Sequence, residues 1–131
     1  MGAEDRSNLK VLKKAAKSSS QKALGIAAKL ARERTEAYKL TGRMHWLLGQ
    51  QDQALKWWTK SIAEGERLGA RPELARTYLE VAQRLAESGS KHRALNDTDA
   101  EAYLTKARTL FSDLGLEWDL EKVELIQRRA A

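Results

Sequence analysis

Few side chains in this 131-residue chain could perform chemistry of their own. The two histidines, His45 and His92, could act as bases or metal ligands, yet neither has a nucleophile or second ligand at a workable spacing. His92 falls in a polar stretch between Lys91 and Arg93 and reads as a solvated loop residue, while His45 reads as a packed ring. Asp97 and Asp99 imitate the start of a calcium loop, but the glycine and distal glutamate of that motif are missing, and helix capping explains Asp99 better. The chain has no cysteine, which removes thiolate metal sites, disulfides and thiol nucleophiles together. It also lacks a phosphate-binding glycine loop. No enzyme, metal centre or cofactor is expected. What remains is recognition chemistry: 24 lysines and arginines suited to carboxylates or phosphates, and four tryptophans suited to apolar partners.

The cations are unevenly distributed. Residues 1–60 hold 13 Lys+Arg against 5 Asp+Glu, and residues 61–131 hold 11 against 13, so the net charge of +6 divides into +8 and −2. The imbalance favours an acidic partner for the first half and speeds encounter with one at low salt. Nucleic acid is the competing partner and ranks lower, because aromatics are not interleaved with the lysines and the second half is slightly acidic. No apolar run approaches the ~20 residues of a membrane span, and the N-terminus is polar and charged, so a cytoplasmic protein without a membrane partner is expected.

Strong helix formers dominate and Pro72 is the only proline, so the chain reads as all-α. Breaks at Gly, Ser and Pro clusters predict helices near 5–17, 20–33, 35–48, 51–68, 73–88, 99–113 and 118–129. Ser18 to Ser20 would form the first turn and Gly49 the second. The chain also repeats itself. Trp58, Ser61, Leu68, Gly69 and Leu74 recur 46 residues later as Leu104, Ala107, Leu114, Gly115 and Leu120. Tyr38, Gly42 and Gly49 recur 40 residues later as Tyr78, Ala82 and Gly89, which leaves an insertion between Ser90 and Asp99. That insertion reads either as an elongated polar turn or as a contact-bearing edge. Self-similarity at this period is the mark of stacked helical hairpins, because one hairpin cannot bury its own apolar face.

Tyr38, Gly42, His45, Gly49, Ala54, Trp58 and Ser61 stand in the order of large and small residues that characterises the tetratricopeptide repeats, and the chain resembles that family over about residues 20–120. Tyr78, Ala82, Leu85, Gly89, Ala100, Leu104 and Ala107 supply a second copy. Three departures stand out. His45 replaces an aromatic, the closing proline is absent, and the second helices run long to a Leu-Gly ending, as in the C-terminal regions of large bacterial signalling ATPases and cyclase-linked proteins. The resemblance implies a right-handed solenoid occupying residues 1–131 as a single domain. Its hairpins would span about 5–34, 35–69 and 73–115, with a cap at 118–129.

The resemblance also implies a function: a scaffold whose concave groove, formed by the first helices of successive hairpins, binds a protein or peptide. The groove residues would be Lys39, Arg43 and Trp46 on one helix and Arg76, Leu79 and Gln83 on the next. Lys39 and Arg43 would hold a carboxylate while Trp46 packs an apolar side chain. The asparagines of the family's chaperone-tail clamp are absent. Of the other tryptophans, Trp58 is expected in the core between Ala54 and Ser61, Trp57 between successive hairpins, and Trp118 across the open end of the stack. An uncapped N-terminal hairpin would make the chain a homodimer.

Overall fold

The computed structural model describes the backbone of residues 2–130 and the side chains of residues 8–129. It is mainly helical, as composition requires: α1 (Gly2–Leu47), α2 (Gln51–Leu68), α3 (Arg71–Leu85), α4 (Ala100–Leu114) and α5 (Glu117–Ala130), with a short antiparallel ribbon of β1 (Ala94–Leu95) and β2 (Thr98–Asp99) before α4. The chain divides into two units, Met1–Leu30 and Ala31–Ala131.

The continuous α1 departs from the expected first hairpin. No turn forms at Ser18 to Ser20 or at residue 34, and α1 continues through both. Serine gives up only a few tenths of a kcal/mol of helix propensity, and neither site contains the glycine or proline that would stop an established helix. Arg32, Glu33 and Arg34 favour continuation. Every described side chain from Asn8 to Leu30 is exposed.

Residues 31–131 fold around a core that includes Trp46, Trp58, Ile62, Leu79, Val81, Tyr103, Phe111 and Val123. Small residues permit the close helix contacts. A methyl group at Gly42 would lie 2.5 Å from Trp58 Cδ1, and one at Gly65 would lie 3.0 Å from Leu74 Cβ. Two pairs of repeated positions share environments. Ser61 and Ala107 are both fully buried, and Gly69 and Gly115 end α2 and α4 in left-handed conformations at φ 69° and 68°. Sequence self-similarity therefore corresponds to repeated local structure in a helical, repeat-like unit.

The insertion is more than a polar elongation. Asn96 and Asp97 both adopt positive φ, 51° and 60°, the combination that lets a two-residue turn match the twist of paired strands. The ribbon delivers Leu95 into the core, where it is 6% exposed and its carbonyl accepts from the Tyr103 hydroxyl at 2.8 Å. Asp99 then caps α4, its carboxylate accepting from the Ala102 amide at 2.9 Å. Asp99→Ala is expected to cost about 1 kcal/mol, measurable as a lower urea midpoint with an unchanged slope.

Candidate binding groove

Five of the six groove residues expected from the sequence come together. Lys39 and Arg43 on α1 and Arg76, Leu79 and Gln83 on α3 line a cleft of about 400 Å³, closed on its far side by Asp119, Lys122, Leu125, Ile126 and Arg129 of α5. Spacing accounts for the shared face: residues 39 and 43 are one helical turn apart, and 76, 79 and 83 follow at three and four. The contribution of α5 was not expected. Its sequence was assigned to capping, and only the tertiary arrangement turns its Lys122, Ile126 and Arg129 toward the same cavity.

Trp46 does not line this cleft, which corrects its expected role. Its ring is 6% exposed and lies 5.5 Å from the Trp58 ring, with its Nε1 donating to Glu87 Oε2 at 2.9 Å. Position 46 falls one turn beyond Gly42 on the α1 face turned toward α2, so the indole fills the core. Trp58 is fully buried, as expected, and donates from Nε1 to the Lys39 carbonyl at 3.1 Å. Trp57 packs against Tyr38 and stacks nearly parallel to His45, with Lys60 Nζ 4.4 Å from its ring centre. Trp118 seals nothing. It is 74% exposed under the Lys122 ammonium, while Leu116, Leu120, Val123 and Ile126 make the core contacts of that segment.

Both histidines serve local contacts. His45 Nδ1 lies 2.6 Å from Gln50 Oε1, and His92 Nε2 lies 2.7 Å from Asp52 Oδ1, tying the chain after α3 to the start of α2. Among the described residues, no group of three His, Asp or Glu side chains could hold a metal ion.

Acidic side chains inside the cleft organise its cations. Glu80, 3% exposed, accepts from Arg43 Nε at 2.5 Å and from Arg84 Nε at 2.8 Å. Arg76 reaches Asp119 through two contacts at 3.2 and 3.3 Å, which hold its guanidinium above its ordinary pKa against the opposing effect of burial. Lys39 Nζ pairs with Glu36 at 3.0 Å. Lys122 and Arg129 lie toward the exposed rim of α5. The lining holds five cations, Lys39, Arg43, Arg76, Lys122 and Arg129, against Glu80 and Asp119, so the cleft is net positive and carries Leu79, Leu125 and Ile126 as apolar floor. Such a surface can hold a carboxylate beside an aliphatic side chain.

Glu87 adds a pH dependence. Burial raises its carboxyl pKa, but the hydrogen bonds from Trp46 and Arg84 outweigh that effect and leave it below the ordinary value. A depressed carboxyl stabilises the fold above the unfolded-state pKa and loses that contribution as pH falls through the folded value. Glu87→Gln is therefore expected to lower the thermal midpoint near pH 7 and leave it little changed at acid pH, flattening the acid limb of a plot of midpoint against pH.

Among the described residues, no helix is long and apolar enough to cross a membrane. No protein-family model, curated protein or solved structure matches this chain.

Proposed function

We propose that residues 31–131 are a tetratricopeptide-like interaction module, not an enzyme, that binds an acidic peptide segment in the cleft between α1, α3 and α5. The convergence of Lys39, Arg43, Arg76, Leu79 and Gln83 on one cavity supports this reading above any other observation. Arg43 and Arg76 are already held in position by Glu80 and Asp119, so a ligand carboxylate meets donors whose side-chain freedom is spent, which lowers the entropy cost of binding. Leu79, Leu125 and Ile126 supply the apolar contact originally assigned to Trp46. In a larger cytoplasmic signalling protein the module would serve as a regulatory arm that recruits its partner without chemistry.

Selection of a displayed random dodecapeptide library against the purified chain tests the proposal. Enriched peptides should combine acidic and aliphatic residues and lose at least tenfold in affinity for a Lys122→Glu, Arg129→Glu variant with unchanged helical circular dichroism. Absence of enrichment, or enriched peptides that bind the variant equally well, would refute groove recognition. The six lysines of residues 8–30, a stretch without any acidic residue, favour nucleic acid as the second reading. Under it, duplex DNA binds with a steep loss on raising salt, and the groove variant binds as well as wild type.

A further inference from the structure

The cations of the cleft are not equivalent. Lys39, Arg43 and Arg76 are each paired with a carboxylate, that of Glu36, Glu80 and Asp119 respectively. Lys122 and Arg129 are exposed, and among the described residues neither has a carboxylate partner. The uncompensated positive charge of the site therefore lies on α5, and it lies on one stripe. At about 100° per residue, Trp118, Lys122, Leu125 and Arg129 fall within an arc of about 60°. Glu117, Glu121 and Glu124 fall about 40–100° outside that arc, and Asp119 is held by Arg76.

Trp118 stands one turn before Lys122 and is 74% exposed, the highest value among the large apolar side chains described. Lys122 Nζ, 4.5 Å from its ring centre, joins the indole to the cleft lining, and Leu125 of that lining is 47% exposed. Along α5 the stripe thus alternates apolar, cationic, apolar and cationic.

On the basis of the groove reading proposed above, we infer that the acidic segment bound at this cleft is an amphipathic helix laid along α5, with its carboxylates on Lys122 and Arg129 and its apolar side chains on Trp118 and Leu125. Charge sets the ligand's sign, because cations without counterions are complementary to carboxylates. Spacing sets its conformation. The four residues are separated by four, three and four positions, a run of about 16.5 Å at 1.5 Å per residue. A second helix offers side chains at the same intervals in either direction, the pattern of helix-in-groove recognition. An extended strand, whose same-face side chains recur every ~6.6 Å, would overrun the fourth position by about 3 Å. Trp118 is the anchor of this surface, since an aromatic ring of its size buries about 150–250 Å² at low entropic cost.

Two capped dodecapeptides of alanine and glutamine test the pairing. One carries leucine at positions one and eight and glutamate at five and twelve, the other has the two residue types exchanged, and a shuffled isomer spreads the same four side chains around the helix. At least one patterned peptide should bind tenfold or more tighter than the isomer. It should gain helical circular dichroism on binding, because a free helix of this length is marginal in water. It should also shift tryptophan emission to the blue, since Trp46 and Trp58 are already buried. Trp118→Ala, with unchanged circular dichroism of the protein, should lose the shift and at least tenfold in affinity, and Trp118→Phe should recover most of the affinity without the shift. Equal binding of the shuffled isomer, or of the Trp118→Ala variant, overturns the helix on α5. Groove recognition survives that result where library-selected peptides stay non-helical and still lose affinity for the Lys122→Glu, Arg129→Glu variant; where no peptide of any pattern binds, both fall. A dimer of the protein alone that Trp118→Ala dissociates would assign the stripe to a second copy. A blue shift given by oligothymidylate and by neither peptide would assign it to nucleic acid, and either result overturns the peptide helix.

Discussion

Trp58→Ala is expected to remove about 3–5 kcal/mol from the stability of residues 31–131. The indole is fully buried, donates to the Lys39 carbonyl and lies against Trp46, so its loss opens a cavity, removes a buried hydrogen bond and loosens a second aromatic at once. A native domain has only about 5–15 kcal/mol in total, and each kcal/mol shifts the midpoint of a domain this size by about 4–8 °C. The variant should therefore melt at least 12 °C below the parent, about 3 kcal/mol at 4 °C each, or be partly unfolded at 25 °C. Gly42→Val tests the same contact from the other side, because its side chain would enter the space of the Trp58 ring. Overpacking of this kind costs about 1–3 kcal/mol. Near-wild-type melting of both variants would show that the α1–α2 contact does not hold the core together.

The second large effect comes from an ion cluster. Glu80 is 3% exposed and its charge is compensated by Arg43 from α1 and Arg84 from its own helix. Burial opposes the charge of Arg84, yet its hydrogen bonds to Glu80 and Glu87 hold its pKa above the ordinary value. Replacing both arginines, Arg43→Leu with Arg84→Leu, leaves a buried carboxylate without its counterions and should cost about 3–5 kcal/mol. Either single replacement should cost much less, because one guanidinium remains. Adding Glu80→Leu to the double variant should recover most of the loss, since an apolar residue can replace a buried ion pair at little cost. Urea unfolding of the four variants measures this. Failure of the triple variant to recover would mean that the arginines act through packing of their aliphatic stems and not through charge.

The same cluster bears on the cleft. Arg43 serves the fold and lines the cavity, so its substitution alone cannot separate binding from stability. Lys122 and Arg129 sit on the exposed rim and make the cleaner probes.

Helical composition, the breaks at Gly49 and Gly69, the capping role of Asp99 and the burial of Trp58 were all legible in the sequence. Each depends on properties local to a few residues: propensity, a left-handed glycine, a side-chain oxygen three residues before an amide, a large residue between two small ones. The resemblance to the tetratricopeptide repeats went further and implied six groove residues, five of which share the cleft. Tertiary structure decided the rest. Whether Ser18 to Ser20 bends the chain depends on whether a returning helix gains enough burial to pay for a turn, and no residue there forces one. Leu95 became core because the ribbon carries it in beside Tyr103, and Trp118 became surface because Leu116, Leu120, Val123 and Ile126 make the core contacts of its segment, an outcome that no local pattern records. Trp46 was placed by an angle. One helical turn from Gly42 and Arg43, it could face the groove or the core, and the gap beside Trp58 admits only one large ring at the cost of a carboxylate partner, Glu87.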